Sequence, residues 1–196
     1  RNVHVVAAAA PRPLPCRYGS GSRVWASAVA LARYLALRPE AVAGRRVCEL
    51  GAGVGLVARV CCDLGADVLA TEAEPRLLEA LRANAPRATA RRLDWSEPVP
   101  DELRGAFDVV LGADLVYSSG AVASGLCDAA AALLVARGRL LLCVPRGRHG
   151  VDALETALRS ARWRDAGTMM LDLSLTAELG DGHAFLLVFA TRSGVG

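Results

Sequence analysis

The feature that most constrains this 196-residue chain is a short strand-like run, Arg46-Val47-Cys48-Glu49-Leu50, that passes without a spacer into Gly51-Ala52-Gly53-Val54-Gly55. Glycines at alternate positions allow a left-handed backbone and let the chain run close to a ligand. Beyond them Leu56, Val57, Val60, Cys61 and Leu64 recur at helical spacing until Gly65, which predicts a helix whose N-terminus faces back across the turn. Strand, glycine turn and helix make one βα unit, and parallel strands require such crossovers.

The rest of the chain continues the alternation. A covering helix is expected over residues 25–37, a second strand over 67–72, and a helix from near Pro75 that turns Leu77, Leu78 and Leu81 inward and ends at Pro86. A third strand fits residues 88–93 and a fourth residues 107–113, followed by a helix over 121–136, a strand over 139–144 and a helix around Leu154 and Leu158. Residues 168–175 and 184–190 read as two strands joined by a Gly180-Asp181-Gly182 turn. The expected fold is α/β: a Rossmann-like, seven-stranded mixed sheet with helices on both faces and a C-terminal antiparallel hairpin, its ligand outside the carboxyl ends of the strands. Residues 1–24, broken by Pro11, Pro13, Pro15, Gly19 and Gly21, read as an N-terminal arm, and residues 25–196 as a single domain.

Composition narrows the functional classes. The net charge is only +3, from 23 basic and 20 acidic residues, so no strong field draws the chain to nucleic acid or to a membrane surface. All the basic residues are Arg, and the chain has no Lys. Asp128, Arg137 and Arg139 interrupt the apolar stretches short of the ~20 residues a membrane helix needs. The six cysteines form no CxxC pair and lie mostly in apolar runs, which suits reduced, buried thiols rather than a metal site or a disulfide framework. His4, His149 and His183 are isolated and are assigned no catalytic role. A cytoplasmic location, with the nucleus as the alternative, is the expectation, although the sequence starts at Arg1 and a preceding targeting segment is left open.

The glycine turn alone does not choose its ligand. Gly53-x-Gly55-x-x-Ala58 fits a dinucleotide fingerprint, in which Glu72 would hold an adenosine ribose. Glu49 shifts the balance, because a carboxylate at this strand end repels a pyrophosphate and welcomes a cofactor that carries an amino group and a sulfonium.

Glu49-Leu50-Gly51-Ala52-Gly53-Val54-Gly55 resembles the first motif of the seven-stranded, class I S-adenosylmethionine-dependent methyltransferases, and Glu72 stands where their ribose-binding acid ends the second strand. Trp25 before the covering helix, Leu93-Asp94-Trp95-Ser96 after the third strand and Ala113-Asp114-Leu115-Val116-Tyr117 after the fourth resemble more narrowly the DxxY group of protein-lysine methyltransferases, methyltransferase family 16. The resemblance implies S-adenosyl-L-methionine as cofactor, held by Trp25, Glu49, Gly51, Ala52, Gly53, Glu72, Asp94, Trp95 and Ala113. It also implies Asp114 and Tyr117 at the reacting end, and a lysine of a non-histone protein as acceptor, with histidine as the less favoured alternative.

Several of these positions have a physical case of their own. An aromatic plane at Trp95 can pack on adenine while Asp94 or a backbone group meets the exocyclic amine, against the alternative of a core tryptophan. Trp25 is equally suited to a packing anchor. Asp114 can accept hydrogen bonds from an amine and Tyr117 can orient it or wall the channel, whereas in isolation the same residues would make an Asx turn. Leu115 and Val116 stand where base and glutamine methyltransferases carry prolines, which argues against that chemistry. The pattern departs from the family in carrying Glu72 where Asp is usual, and residues 145–149 match only loosely. A small-molecule methyltransferase, a non-catalytic cofactor-binding scaffold and an NAD-dependent oxidoreductase remain the other readings. Metal ligands, nucleic acid and membrane are not expected as partners, and the oligomeric state is not legible.

Overall fold

Trp25 carries an extended backbone and its carbonyl accepts the amides of Ala28 and Val29, which starts helix α1 (Ala26–Leu37). The computed structural model describes residues 22–116, 120–171 and 184–194. From α1 the chain alternates through β1 (Arg46–Leu50), α2 (Leu56–Asp63), β2 (Asp67–Glu72), α3 (Leu77–Asn84), β3 (Thr89–Arg92) and β4 (Phe107–Ala113). It continues through α4 (Gly120–Leu133), β5 (Leu134–Pro145), α5 (Val151–Ala157), β6 (Trp163–Met170) and β7 (Phe185–Arg192).

The seven strands form one sheet in the order β3-β2-β1-β4-β5-β7-β6. The first five are parallel, and β7 inserts antiparallel between β5 and β6. Strand alternation divides the core in two. Val47, Val109, Leu111, Leu141 and Leu187 pack under Leu31 and Leu35 of α1, Cys61 of α2 and Leu81 of α3. Cys48, Val110, Leu140, Leu142 and Val188 pack under Leu126 and Ala130 of α4 and Leu154 of α5. Each face of the sheet is thereby sealed by helices, which is why the central strands are apolar on both sides.

The expected bounds of β1, β2 and β4 coincide with the observed ones. Others shift. The helix expected to run to residue 136 ends at Leu133, and β5 begins at Leu134 rather than at residue 139. Leu134 is fully buried and pairs with Phe107, while Arg137 takes a left-handed φ of 65°, so sheet pairing overrides the helix propensity of the alanine run. The first hairpin strand begins earlier than expected, at Trp163, which is buried and pairs with Arg192. An irregularity between Arg164 and Gly167, with Asp165 at φ 50°, hides its alternation. The turn expected at residues 180–182 lies outside the described residues, as does most of the N-terminal arm. The five cysteines among the described residues are free and buried. Among the same residues no helix is long and apolar enough to cross a membrane, and no group of His, Cys, Asp and Glu could hold a metal ion.

Candidate active site

The carboxyl ends of β1, β2 and β4 open onto a cavity of about 290 Å³. Its glycine loop is strapped to the end of β2. Ala52 N–H donates to the Thr71 carbonyl at 2.8 Å, the Thr71 hydroxyl donates to the Glu49 carbonyl at 2.8 Å, and Gly53 N–H donates to Glu72 Oε2 at 2.9 Å. Gly51, Gly53 and Gly55 adopt φ of 59°, 54° and 90°, a region costly for other residues. Space is as demanding as conformation at Gly51, where a Cβ would stand 2.5 Å from Leu115 Cδ2 and 3.4 Å from the Trp95 ring. Trp95 and Leu115 thus roof the glycine turn.

Glu49 sits at the floor of this cavity, 3% exposed, and its Oε2 has no hydrogen-bond partner among the described residues. Burial pushes its pKa up to about 8; the Ala58 amide partly offsets this and the nearby Glu72 charge adds to it. Among the described residues, the cavity wall carries the acidic side chains of Glu49, Glu72, Glu74 and Asp114 against the guanidinium of Arg23. Such a lining repels a pyrophosphate and suits a ligand with cationic groups. The orphaned Glu49 oxygen supplies an acceptor for an ammonium, and the missing Cβ at Gly51 lets backbone approach a ligand closely. The donor set therefore fits an amino-acid-bearing sulfonium nucleoside.

Trp25, Glu49, Gly51, Ala52, Gly53, Glu72, Trp95, Ala113 and Asp114 are brought together around the cavity. Asp94 is not among the residues that line it. Its Oδ1 accepts the amide of Ser96 at 2.9 Å and the Ser96 hydroxyl at 2.7 Å, and these bonds hold its pKa below the usual carboxylate range. Trp95, within that Asx-type turn, does line the cavity. Tyr117 lies outside the described residues. Asp114, at φ 56°, has an almost fully buried side chain, and each of its oxygens accepts a hydrogen bond from Arg148.

Several residues of the site have no signature in the sequence. Arg23 lies 3.8 Å over the Trp25 ring at the cavity wall, a cation–π contact. Leu56, Val57 and Leu77 line the cavity from the first turns of α2 and α3, where a helical pattern marks them only as apolar. Glu74 could have been suspected from its place two residues after Glu72, whose Oε1 accepts its amide at 3.1 Å. Arg148 carries no signal, because its partner is 34 positions away.

A family model described as lysine methyltransferase matches residues 16–153. The protein N-lysine methyltransferase METTL21A of Danio rerio is 40% identical over 110 residues, covering 52% of this chain and 50% of the relative. The histone-arginine methyltransferase METTL23 of Xenopus laevis is 36% identical over 115 residues, covering 55% of this chain and 48% of the relative. The chain spans about half the length of the curated relatives it matches. Among solved structures, magnesium protoporphyrin IX methyltransferase (ChlM) from Synechocystis PCC 6803, crystallised with bound SAM, superposes with a TM-score of 0.65. It is 18% identical and covers 85% of this chain and 78% of its own, a likeness of fold.

Proposed function

This chain belongs to the lysine methyltransferase family, and from that premise we propose that it transfers a methyl group from S-adenosylmethionine to a lysine side-chain amine of another protein. The observation that carries the proposal is the buried Glu49 carboxylate with an unpartnered oxygen at the floor of an acid-rich cavity. When bound, S-adenosylmethionine supplies an electrophilic methyl group.

The residues divide the work by position. Glu49 would receive the amino group of the cofactor and Glu72 its ribose hydroxyls, while Trp95 would pack on the adenine and Ala113 would complete the lining of the same cavity. Gly51, Ala52 and Gly53 bring backbone close enough to hold the nucleoside without side chains in the way. Asp114 faces the reacting end from the end of β4 and would accept hydrogen bonds from the incoming amine. Methyl transfer asks for in-line placement and exclusion of water more than for a strong base. Leu115, buried against Gly51 and Gly112, dries that end of the cavity. A second acceptor, arginine, is favoured by the relative named as a histone-arginine methyltransferase.

Having no Lys, the chain cannot accept a methyl on lysine itself, so a label recovered on lysine must lie on a partner. Incubation with labelled S-adenosylmethionine and an extract from the protein's own source, followed by mass spectrometry, tests the proposal. Recovery on a protein lysine is expected. Recovery on arginine or histidine would correct the acceptor, and recovery only in nucleic acid or small metabolites would defeat the proposal.

A further inference from the structure

The segment Pro145-Arg146-Gly147-Arg148-His149 has no part in these roles, yet its backbone is held in a defined turn. Arg146 N–H donates to the Ala184 carbonyl at 2.8 Å and Arg148 N–H to the Pro145 carbonyl at 3.1 Å, with Gly147 at φ 76° between them. The turn doubles back over the end of β4. There Arg148 Nε donates to Asp114 Oδ1 at 2.8 Å, and Arg148 Nη2 donates to Asp114 Oδ2. The pair is a fork on both oxygens of the Asp114 carboxylate, whose side chain is 5% exposed, while the Arg148 side chain is 31% exposed. Asp114 is fixed from behind as well, because its amide donates to the Cys143 carbonyl at 2.9 Å.

A lone carboxylate beside a reacting amine has two opposed effects. It attracts the ammonium, and by the same attraction it raises the pKa of the amine and holds the proton that must leave before the nitrogen lone pair can attack. A guanidinium on the far side of the carboxylate changes that balance. An ionised carboxylate has about four lone-pair sites, so two remain as acceptors after the fork is made, but most of the charge is cancelled.

We propose that Arg148 is a positioning residue of the methyl-transfer site: by holding and neutralising Asp114 it keeps an acceptor for the substrate amine without trapping that amine as ammonium. The inference rests on the reading of the site as an amine methyltransferase. The other titratable and charged groups around the cavity are Glu49, which burial holds mostly protonated near pH 7, the acids Glu72 and Glu74 and the Arg23 guanidinium, with His149 next in chain to Arg148. From β5 the neighbour is the Cys143 thiol, pushed by burial and then by Asp114 to about 12, so it stays neutral. With acids in the majority, removing Arg148 leaves the reacting end strongly negative.

The test uses the full chain with saturating S-adenosylhomocysteine and carbon-13-labelled n-butylamine as the probe, its pKa in the bound state read by NMR. Wild type, Arg148→Gln and Arg148→Lys are compared, and thermal melts establish that each is folded. Removing one positive charge a few ångströms away should raise the bound amine pKa by about one unit and tighten ammonium binding about tenfold near pH 7 in Arg148→Gln. Arg148→Lys, which keeps the charge and loses the fork, should stay near wild type in both. An unchanged bound pKa in Arg148→Gln, an equal shift in Arg148→Lys, or no binding of the probe by any of the three would overturn the proposal. Because the probe needs no turnover, these outcomes are separate from a failure to find methyl-lysine in extract, which would count against the acceptor alone.

Discussion

Replacing Glu49 by Gln removes a carboxylate that the fold buries with one oxygen unpartnered, and the structure sets both the size and the sign of the effect. The carboxyl moves from 4.5 to about 8 on folding, chiefly through burial. Between those values the folded protein binds a proton that the unfolded chain has released. The associated stability is fully present below the lower value and is lost as pH rises through the upper one. At about 1.4 kcal/mol per unit the span corresponds to roughly 5 kcal/mol, which local relaxation and water entry reduce to a few. For a chain of this length each kcal/mol moves the midpoint by about 2–4 °C. Without ligand, wild type should therefore melt about 5–10 °C lower at pH 9 than Glu49→Gln, while the two should nearly coincide at pH 5. S-adenosylhomocysteine should raise the wild-type midpoint at pH 9 far more than that of the variant. An amide cannot replace the charged partner of an ammonium, so the variant should bind about 10- to 100-fold more weakly. Parallel pH profiles for the two proteins would refute the buried titration, and undiminished cofactor affinity in Glu49→Gln would refute its role as the ammonium acceptor.

Glu72→Ala should weaken S-adenosylmethionine by roughly 1–3 kcal/mol in calorimetry, since it removes a charged acceptor and releases the Gly53 amide it holds at 2.9 Å. Gly51→Ala should abolish cofactor binding and lower stability by about 1–3 kcal/mol in denaturant melts, because it meets both a left-handed φ and a Leu115 methyl at 2.5 Å. Asp114→Asn should keep the cofactor in the same calorimetric assay and lose most turnover; near-normal transfer would reduce the Asp-x-x-Tyr segment to a turn.

The features legible in the chain before folding were those made by neighbours. Glu49, the glycines and α2 belong to one continuous βα unit, and Glu72 ends a strand whose bounds are set by its own apolar run, so periodicity and turn chemistry reached them. The resemblance of the motifs led to the same family that the comparison supplies. Asp94 is held in a local turn, its Oδ1 accepting from Ser96 two residues on, and it is not among the residues that line the cavity. The onset of β5 and of β6 was beyond local propensity, because Leu134 and Trp163 become strand residues only through partners in β4 and β7.

The electrostatic state of Asp114 belonged wholly to the tertiary structure. Sequence presented it as a free carboxylate awaiting an amine. Parallel pairing of β4 with β5 sets the ends of the two strands side by side, and a tight turn after Pro145 returns a guanidinium across the gap, 34 residues along the chain but within hydrogen-bond reach in space. Propensity and motif describe what a residue does with its neighbours in sequence; the charge a buried carboxylate presents depends on which distant group shares its low-dielectric surroundings, and only the sheet register decides that.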